Sequence, residues 1–202
     1  APRQCAELVR DLEARHSILI SGATGVGKTT LLGALATSLP AQERLICIED
    51  TAELNLYHPQ LVQLVTRDNN TEGRGGIPMS VLVWQALRMR PDRIIVGEVR
   101  GNEAVDLLTA LNTGHRGSLA SIHANSARDV PHRLLTLALT AGMPEAAAQH
   151  TIASALDVIV HLARDSYTGQ RHISDIWHAR NTWHTVGSWC MSDKYGDDYA
   201  DS

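Results

Sequence analysis

Apolar positions recur along the chain with two different periods, and each change of period marks a new element. Over residues 3 to 15, Cys5, Leu8, Val9 and Leu12 share one face while Arg10, Asp11 and Glu13 fall largely elsewhere, which predicts an amphipathic helix. The compact apolar run Ile18-Leu19-Ile20 sits in a strand from Ser17 to Ser21. Beyond a glycine-rich stretch, a helical pattern covers Thr29 to Leu39 and stops at Pro40. Short buried strands follow at Arg44 to Glu49, Leu61 to Thr66, Arg93 to Gly97 and Ser118 to His123. Between them, Val81 to Met89 reads as a helix through Val81, Trp84, Leu87 and Arg88, and Pro91 ends it. Glu103 to Asn112 reads as another, with Ala104, Leu107, Leu108 and Leu111 inward and Asn102 as its cap. Ser126 is placed to open the next helix, but Pro131 would interrupt its second turn, so the start is set nearer Asp129, or the helix bends. That helix runs to about Thr140, and a further one from Glu145 to about Leu156. Asp157 to Ala163 and Arg171 to Trp177 alternate in period two around Thr168-Gly169, which predicts a hairpin.

Strands alternating with helices over residues 17 to 160 predict an α/β fold: a mostly parallel sheet, helices on both faces, and a C-terminal β-hairpin. The polar run Arg67 to Gly76 is expected to be a flexible loop. From His178 the periodicity fails. Residues 1–180 are therefore expected to form one domain, and 181–202 a disordered acidic tail whose deletion changes the melting temperature little.

Composition narrows the partners. The chain has 202 residues, 44% hydrophobic, enough for one domain with a real core. A net charge of −4 offers no general basic surface to nucleic acid, and aromatics at 4%, with no Phe, leave few stacking platforms for single strands. No apolar run reaches the roughly 18 residues of a membrane span, and the N-terminus lacks the apolar core of a signal peptide. Cys5, Cys47 and Cys190 are odd in number and far apart, which suits a reducing cytosol better than a disulfide framework or a zinc knuckle. The missing start Met suggests that the chain is cut from something longer.

The chemistry is concentrated in Gly22-Ala23-Thr24-Gly25-Val26-Gly27-Lys28-Thr29-Thr30, between the first strand and the second helix. Glycines allow a tight turn that aims several N–H groups at one point, and the following helix adds its N-terminal partial charge. In such a loop Lys28 reaches β- and γ-phosphates and the Thr29 hydroxyl holds Mg²⁺. The four fixed positions match by chance in roughly one chain of this length in a hundred. A hydrolytic phosphate site also needs an acid near the metal, a base for water and cations for developing charge. In a parallel sheet these belong at the carboxyl ends of neighbouring strands, and three apolar strands end in Glu49, Glu98 and His123. Of the carboxylates Glu49, Asp50 and Glu53, one is functional and the others cap a helical turn at Ala52-Glu53-Leu54. Arg88, Arg93 and Arg100 bracket the Glu98 strand as candidate cations; the plain alternative is surface pairing with Asp92 and Glu103. His115, in a glycine-rich turn, is a further candidate, and the other histidines lack metal-ligand spacing.

Four stretches together resemble a known family. Residues 22 to 30, Ile48 to Leu54, Ala86 to Gly101 and Thr113 to Ser126 look like the Walker A, Asp, Walker B and His boxes of the type II/type IV secretion ATPase superfamily, in order and at matching spacing. The branch they resemble is the CpaF/TadA-like ATPases of tight-adherence pili. The resemblance covers residues 3 to 177 and implies a RecA-like P-loop core, ATP with Mg²⁺, and a homohexamer. It further implies an inner-membrane platform protein as partner, at the cytoplasmic face of a bacterial or archaeal inner membrane, where the motor would couple hydrolysis to protein export or pilus assembly. By position it makes Lys28 and Thr29 the phosphate and Mg²⁺ ligands, Glu49 the general base, Glu98 the Walker B acid near the metal, and His123 the γ-phosphate sensor, with Arg100 beside them. It also places a further domain ahead of the motor, where this chain begins. Two readings compete: a nucleotide-binding subunit that assembles or regulates without turnover, and a nucleic-acid motor on the same core.

Overall fold

The computed structural model describes residues 2–178, so the expectations for residues 181–202 lie outside the described part. The elements are α1 (Pro2–Glu13), β1 (Ile18–Gly22), α2 (Lys28–Thr37), β2 (Leu45–Glu49), β3 (Leu61–Val65), α3 (Met79–Leu87), β4 (Arg93–Val99), α4 (Glu103–Asn112), β5 (Leu119–Ile122), α5 (Asp129–Thr140), α6 (Glu145–Ala155), β6 (Val158–Arg164) and β7 (Arg171–His178). One seven-stranded sheet has the order β3-β2-β4-β5-β1-β6-β7. Every neighbouring pair is parallel except β6 with β7, the predicted hairpin.

The sheet is buried on both faces, as its continuous apolar runs require. Successive residues of a strand point to opposite faces, so each strand feeds two cores. Ile46, Ile48, Leu19 and Ile159 pack beneath α3, α4, α5 and α6. Leu45, Cys47, Ile18, Ile20, Val158 and Val160 pack beneath α1 and α2.

Several local expectations change. In α1, Leu8 and Leu12 are buried, but Cys5 and Val9 face solvent, and Asp11 turns inward instead. Its carboxylate has partners there: His16 Nδ1 at 2.8 Å and His178 Nε2 at 3.1 Å. α3 begins earlier than predicted and buries Met79, Leu82, Val83 and Ala86, leaving Val81 and Trp84 exposed. Asn102 makes no side-chain cap; the Glu103 carboxylate accepts the N–H groups of Arg100 and Gly101 at 2.6 and 2.7 Å. Pro131 is the third residue of α5, where its missing N–H has no intrahelical partner to lose. The loop expected to be flexible is tied: Arg67 bridges Ile77, Asn70 Oδ1 accepts from Glu72 and Arg74, and Asn69 Oδ1 accepts from Gly76.

Arg93 is not a surface residue paired with Asp92 or Glu103. It is 2% exposed, and its guanidinium binds Glu43 at 2.5 Å and donates to the carbonyls of Gly117 at 3.1 Å and Leu12 at 3.0 Å. One side chain thus ties the end of α1 and the approaches to β2 and β5, at the amino ends of the strands. Burial pushes the Glu43 carboxyl up, but Arg93, helped by Arg15, outweighs it and holds the group below its ordinary range. That stabilisation is complete above the ordinary carboxylate pKa and is lost as pH falls through the lowered folded value. Arg93→Ala leaves the Gly117 carbonyl without its donor and leaves Glu43 and the Leu12 carbonyl with Arg15 alone, so a loss of about 1.5–3 kcal/mol is expected in urea unfolding. A loss under about 1 kcal/mol, the range of exposed pairs, would show the clamp to be incidental.

Candidate active site

β1 runs straight into the glycine loop, and two glycines there have no substitute. A Cβ on Gly22 would lie 2.6 Å from the Leu162 carbonyl oxygen, because β6 passes against the strand end. Gly27, with φ of 101°, is the left-handed N-cap of α2, and no side chain caps that helix. The first-turn N–H groups of Lys28, Thr29 and Thr30 are therefore left to the cleft, the arrangement that binds phosphate.

Lys28 is buried. Its ammonium donates to the carbonyls of Gly22 and Ala23, each at 3.0 Å, and to His123 Nδ1 at 3.2 Å. Burial lowers its pKa, Glu98 opposes that, and Arg100 adds to it. Because Nδ1 of His123 accepts, its proton sits on Nε2, which contacts Glu98 Oε1. Glu98 Oε2 takes Arg100 Nε at 2.7 Å and also Nη2. Arg100 reaches Asp50 as well, at 3.8 Å. Lysine, histidine, glutamate and arginine thus form one chain along the mouth of the loop.

Local irregularity aims Glu98. β4 slips its register against β5 between Val96 and Val99, a bulge pinned by Ser121 Oγ donating to the Gly97 carbonyl at 2.6 Å. A Cβ on Gly97 would come within 3.1 Å of Glu49 Cγ, so glycine lets β2 and β4 bring both carboxylates to one wall. Glu49 itself is 3% exposed. Its Oε1 accepts the N–H groups of Glu53 and Leu54 at 3.1 and 2.8 Å, and Cys47 Sγ lies 3.7 Å from Oε2. No helical turn forms at residues 52 to 54; Glu49 closes that loop, not Asp50 or Glu53. Burial and the Glu49 charge push the Cys47 thiol far up, which keeps it protonated.

These groups line a cleft of about 520 Å³ with Thr24, Gly25, Gly27, Thr29, Thr30, Asp50, Thr51 and Glu53. Val26 is buried behind the loop. Two candidates are not in the cleft. Arg88 is exposed at the end of α3, and His115 precedes β5; both lie toward the amino ends of the strands, opposite the phosphate rim. Arg171, which the sequence did not flag, does line the cleft, because the returning strand of the hairpin begins beside the loop.

Among the described residues no group of three or more His, Cys, Asp or Glu side chains is arranged for a metal. Mg²⁺ in a nucleotide site uses only one or two protein ligands and takes the rest from water and phosphate. The donor set fits: the Thr29 hydroxyl lines the cleft, and Glu98 Oε1, whose one contact among the described residues is His123 Nε2, is a carboxylate oxygen on the same cleft wall. No helix among the described residues is long and apolar enough to cross a membrane.

Known proteins are similar to this chain in sequence and fold. A Mycobacterium tuberculosis protein named for conjugal transfer is 50% identical over 172 residues, covering 85% of this chain and 49% of that one. The type IV secretion system protein VirB11 of Brucella suis is 36% identical over 182 residues, covering 87% of this chain and 50% of that one. The chain spans about half the length of the curated relatives it matches. The crystal structure of the Brucella suis VirB11 ATPase, in complex with sulphate, superposes with a TM-score of 0.79 at 34% identity, over 89% of this chain and 53% of that one. The pilus retraction motor PilT with bound ADP gives 0.64 at 25% identity, over 84% and 50%. The fold is thus the RecA-like P-loop architecture of those ATPases. The family described as "Type II/IV secretion system protein" matches residues 1–197, and the chain belongs to that family.

Proposed function

We propose that the chain is the ATP-hydrolysing motor domain of a hexameric secretion or pilus-assembly ATPase of the CpaF/TadA-like branch. It would work at the cytoplasmic face of an inner membrane against a platform protein there. The observation that carries this reading is the chain Lys28–His123–Glu98–Arg100 beside an uncapped helix N-terminus. The relatives named for secretion and conjugal transfer support it.

Residues 22 to 30 would hold the polyphosphate through backbone N–H groups, with the Lys28 ammonium moving from the loop carbonyls to the β- and γ-oxygens. Thr29 and Glu98 would hold Mg²⁺, which when bound supplies positive charge to the phosphoryl oxygens. Glu49, fixed by the N–H groups of Glu53 and Leu54 at Oε1, has Oε2, which among the described residues meets only the weakly donating Cys47 thiol, to orient a water and take its proton. His123 touches both Lys28 and Glu98, so a change at the terminal phosphate reaches it through either partner. Arg100, shared by Glu98 and Asp50, is the cation nearest the metal acid.

The test is binding and turnover of Mg-ATP by purified residues 1–202, with light scattering for oligomer size. Binding with slow turnover is expected, because an arginine supplied across a subunit interface contributes about 10³ to 10⁵ in rate in such sites. Vigorous hydrolysis by a monomer would refute the shared-site hexamer. Binding without turnover even in a hexamer would favour the non-hydrolysing alternative.

A further inference from the structure

The cleft has two sides, and the sheet order separates them. β2, β4 and β5 lie on one side of β1 and carry or lead into Glu49, Glu98 and His123. β6 and β7 lie on the other side. Arg171, the first residue of β7, pairs with Arg164 at the carboxyl end of β6, so it stands on the same rim as Gly22 but away from the carboxylates. Its Cδ is 3.6 Å from where a Cβ on Gly27 would sit, so its aliphatic stem lies against the glycine that opens α2. The side chain is exposed, and its guanidinium has no hydrogen bond or ion pair to the described residues. That contrasts with Arg93 and Arg100, each held by a carboxylate.

The phosphates have donors enough: the loop N–H groups and Lys28. What the cleft lacks, among its described lining residues, is an apolar side chain or a free aromatic ring on which a base could rest, since the His123 imidazole is held between Lys28 and Glu98. A guanidinium is planar and stacks on aromatic faces, and held by its stem it offers a flat, sequence-cheap platform. Resting on the reading of the cleft as a nucleotide site, we infer that Arg171 is the nucleoside-end contact: its guanidinium plane stacks on the base, while the Glu98 side receives the terminal phosphate. The hairpin β6–β7 is then part of the binding site and not only the edge of the sheet.

Calorimetric titration with two probes, Mg-ADP and Mg-tripolyphosphate, tests this without turnover. Both should bind the parent chain. Arg171→Ala should weaken Mg-ADP roughly three- to thirtyfold and leave tripolyphosphate unchanged, since only the stacked base is lost. Arg171→Lys, which keeps the charge and loses the plane, should behave as the alanine variant does. The melting temperature should not move, because the side chain has no partner to lose. Unchanged ADP affinity in Arg171→Ala, full affinity in Arg171→Lys, or equal weakening of both probes would each overturn the inference while leaving the nucleotide site standing. Failure of the parent to bind either probe would overturn both together.

Discussion

Lys28→Ala is expected to abolish ATP turnover, by about 10²-fold or more, while the domain stays folded. Among the described residues the ammonium is the fixed positive charge at the base of the glycine loop, donating there to Gly22, Ala23 and His123. Its removal takes away a donor aimed at the oxygens that gain charge in the transition state. It also removes the donor that sets the His123 tautomer, so the contact to Glu98 loosens with it. Stability should move little or upward. Burial lowers the Lys28 pKa, so the charged amine disfavours the folded state, an effect that fades as pH rises toward the unfolded lysine pKa. The measurements are steady-state hydrolysis beside thermal melting at neutral pH. Parental turnover would remove Lys28 from the mechanism, and a collapse of the melt would recast it as structural.

Glu98→Gln and Glu49→Gln should separate binding from chemistry. Each keeps the side-chain shape and removes a charge, and a positioned base or acid contributes about 10² to 10⁴ in rate. Turnover should fall by that order while nucleotide affinity is kept. The two variants should differ in one respect. Glu98 also holds Arg100, so its loss frees that guanidinium toward Asp50 and leaves His123 without its carboxylate. Glu49 is held by backbone N–H groups, to which a glutamine oxygen still accepts. Glu49→Gln should therefore leave the metal side intact and lower only the chemical step, read as kcat falling with KM unchanged. Parental kcat in either variant of an assembled protein would sink its assignment.

The carboxyl ends of β2, β4 and β5 were legible because a parallel sheet collects strand ends on one rim, and each apolar run visibly stopped at a polar residue. The glycine loop was legible because its residues need unusual backbone angles at fixed spacing. Arg88 and His115 precede β4 and β5 in the chain, so in a parallel sheet they fall at the amino ends, away from the rim where those strands deliver Glu98 and His123. Arg93 was misread because nothing local shows that Glu43 and two carbonyls converge on it. Arg171 carried no signal, since its place depends on β6 pairing with β1 across more than a hundred residues.

The Arg93 clamp stands at the amino ends of the strands and the phosphate chemistry at the carboxyl ends, so lesions at the two rims fail differently. A chain broken at Arg93 does not persist, because cellular quality control clears unfolded protein, and an intact second copy of the gene covers the loss. On the proposed hexamer, a chain broken at Lys28 or Glu98 would keep its surface and enter rings beside intact copies. If neighbouring subunits complete one another's sites, each such ring is poisoned. Lesions of the first kind should then be recessive and those of the second dominant, a genetic distinction set by which end of one sheet they strike.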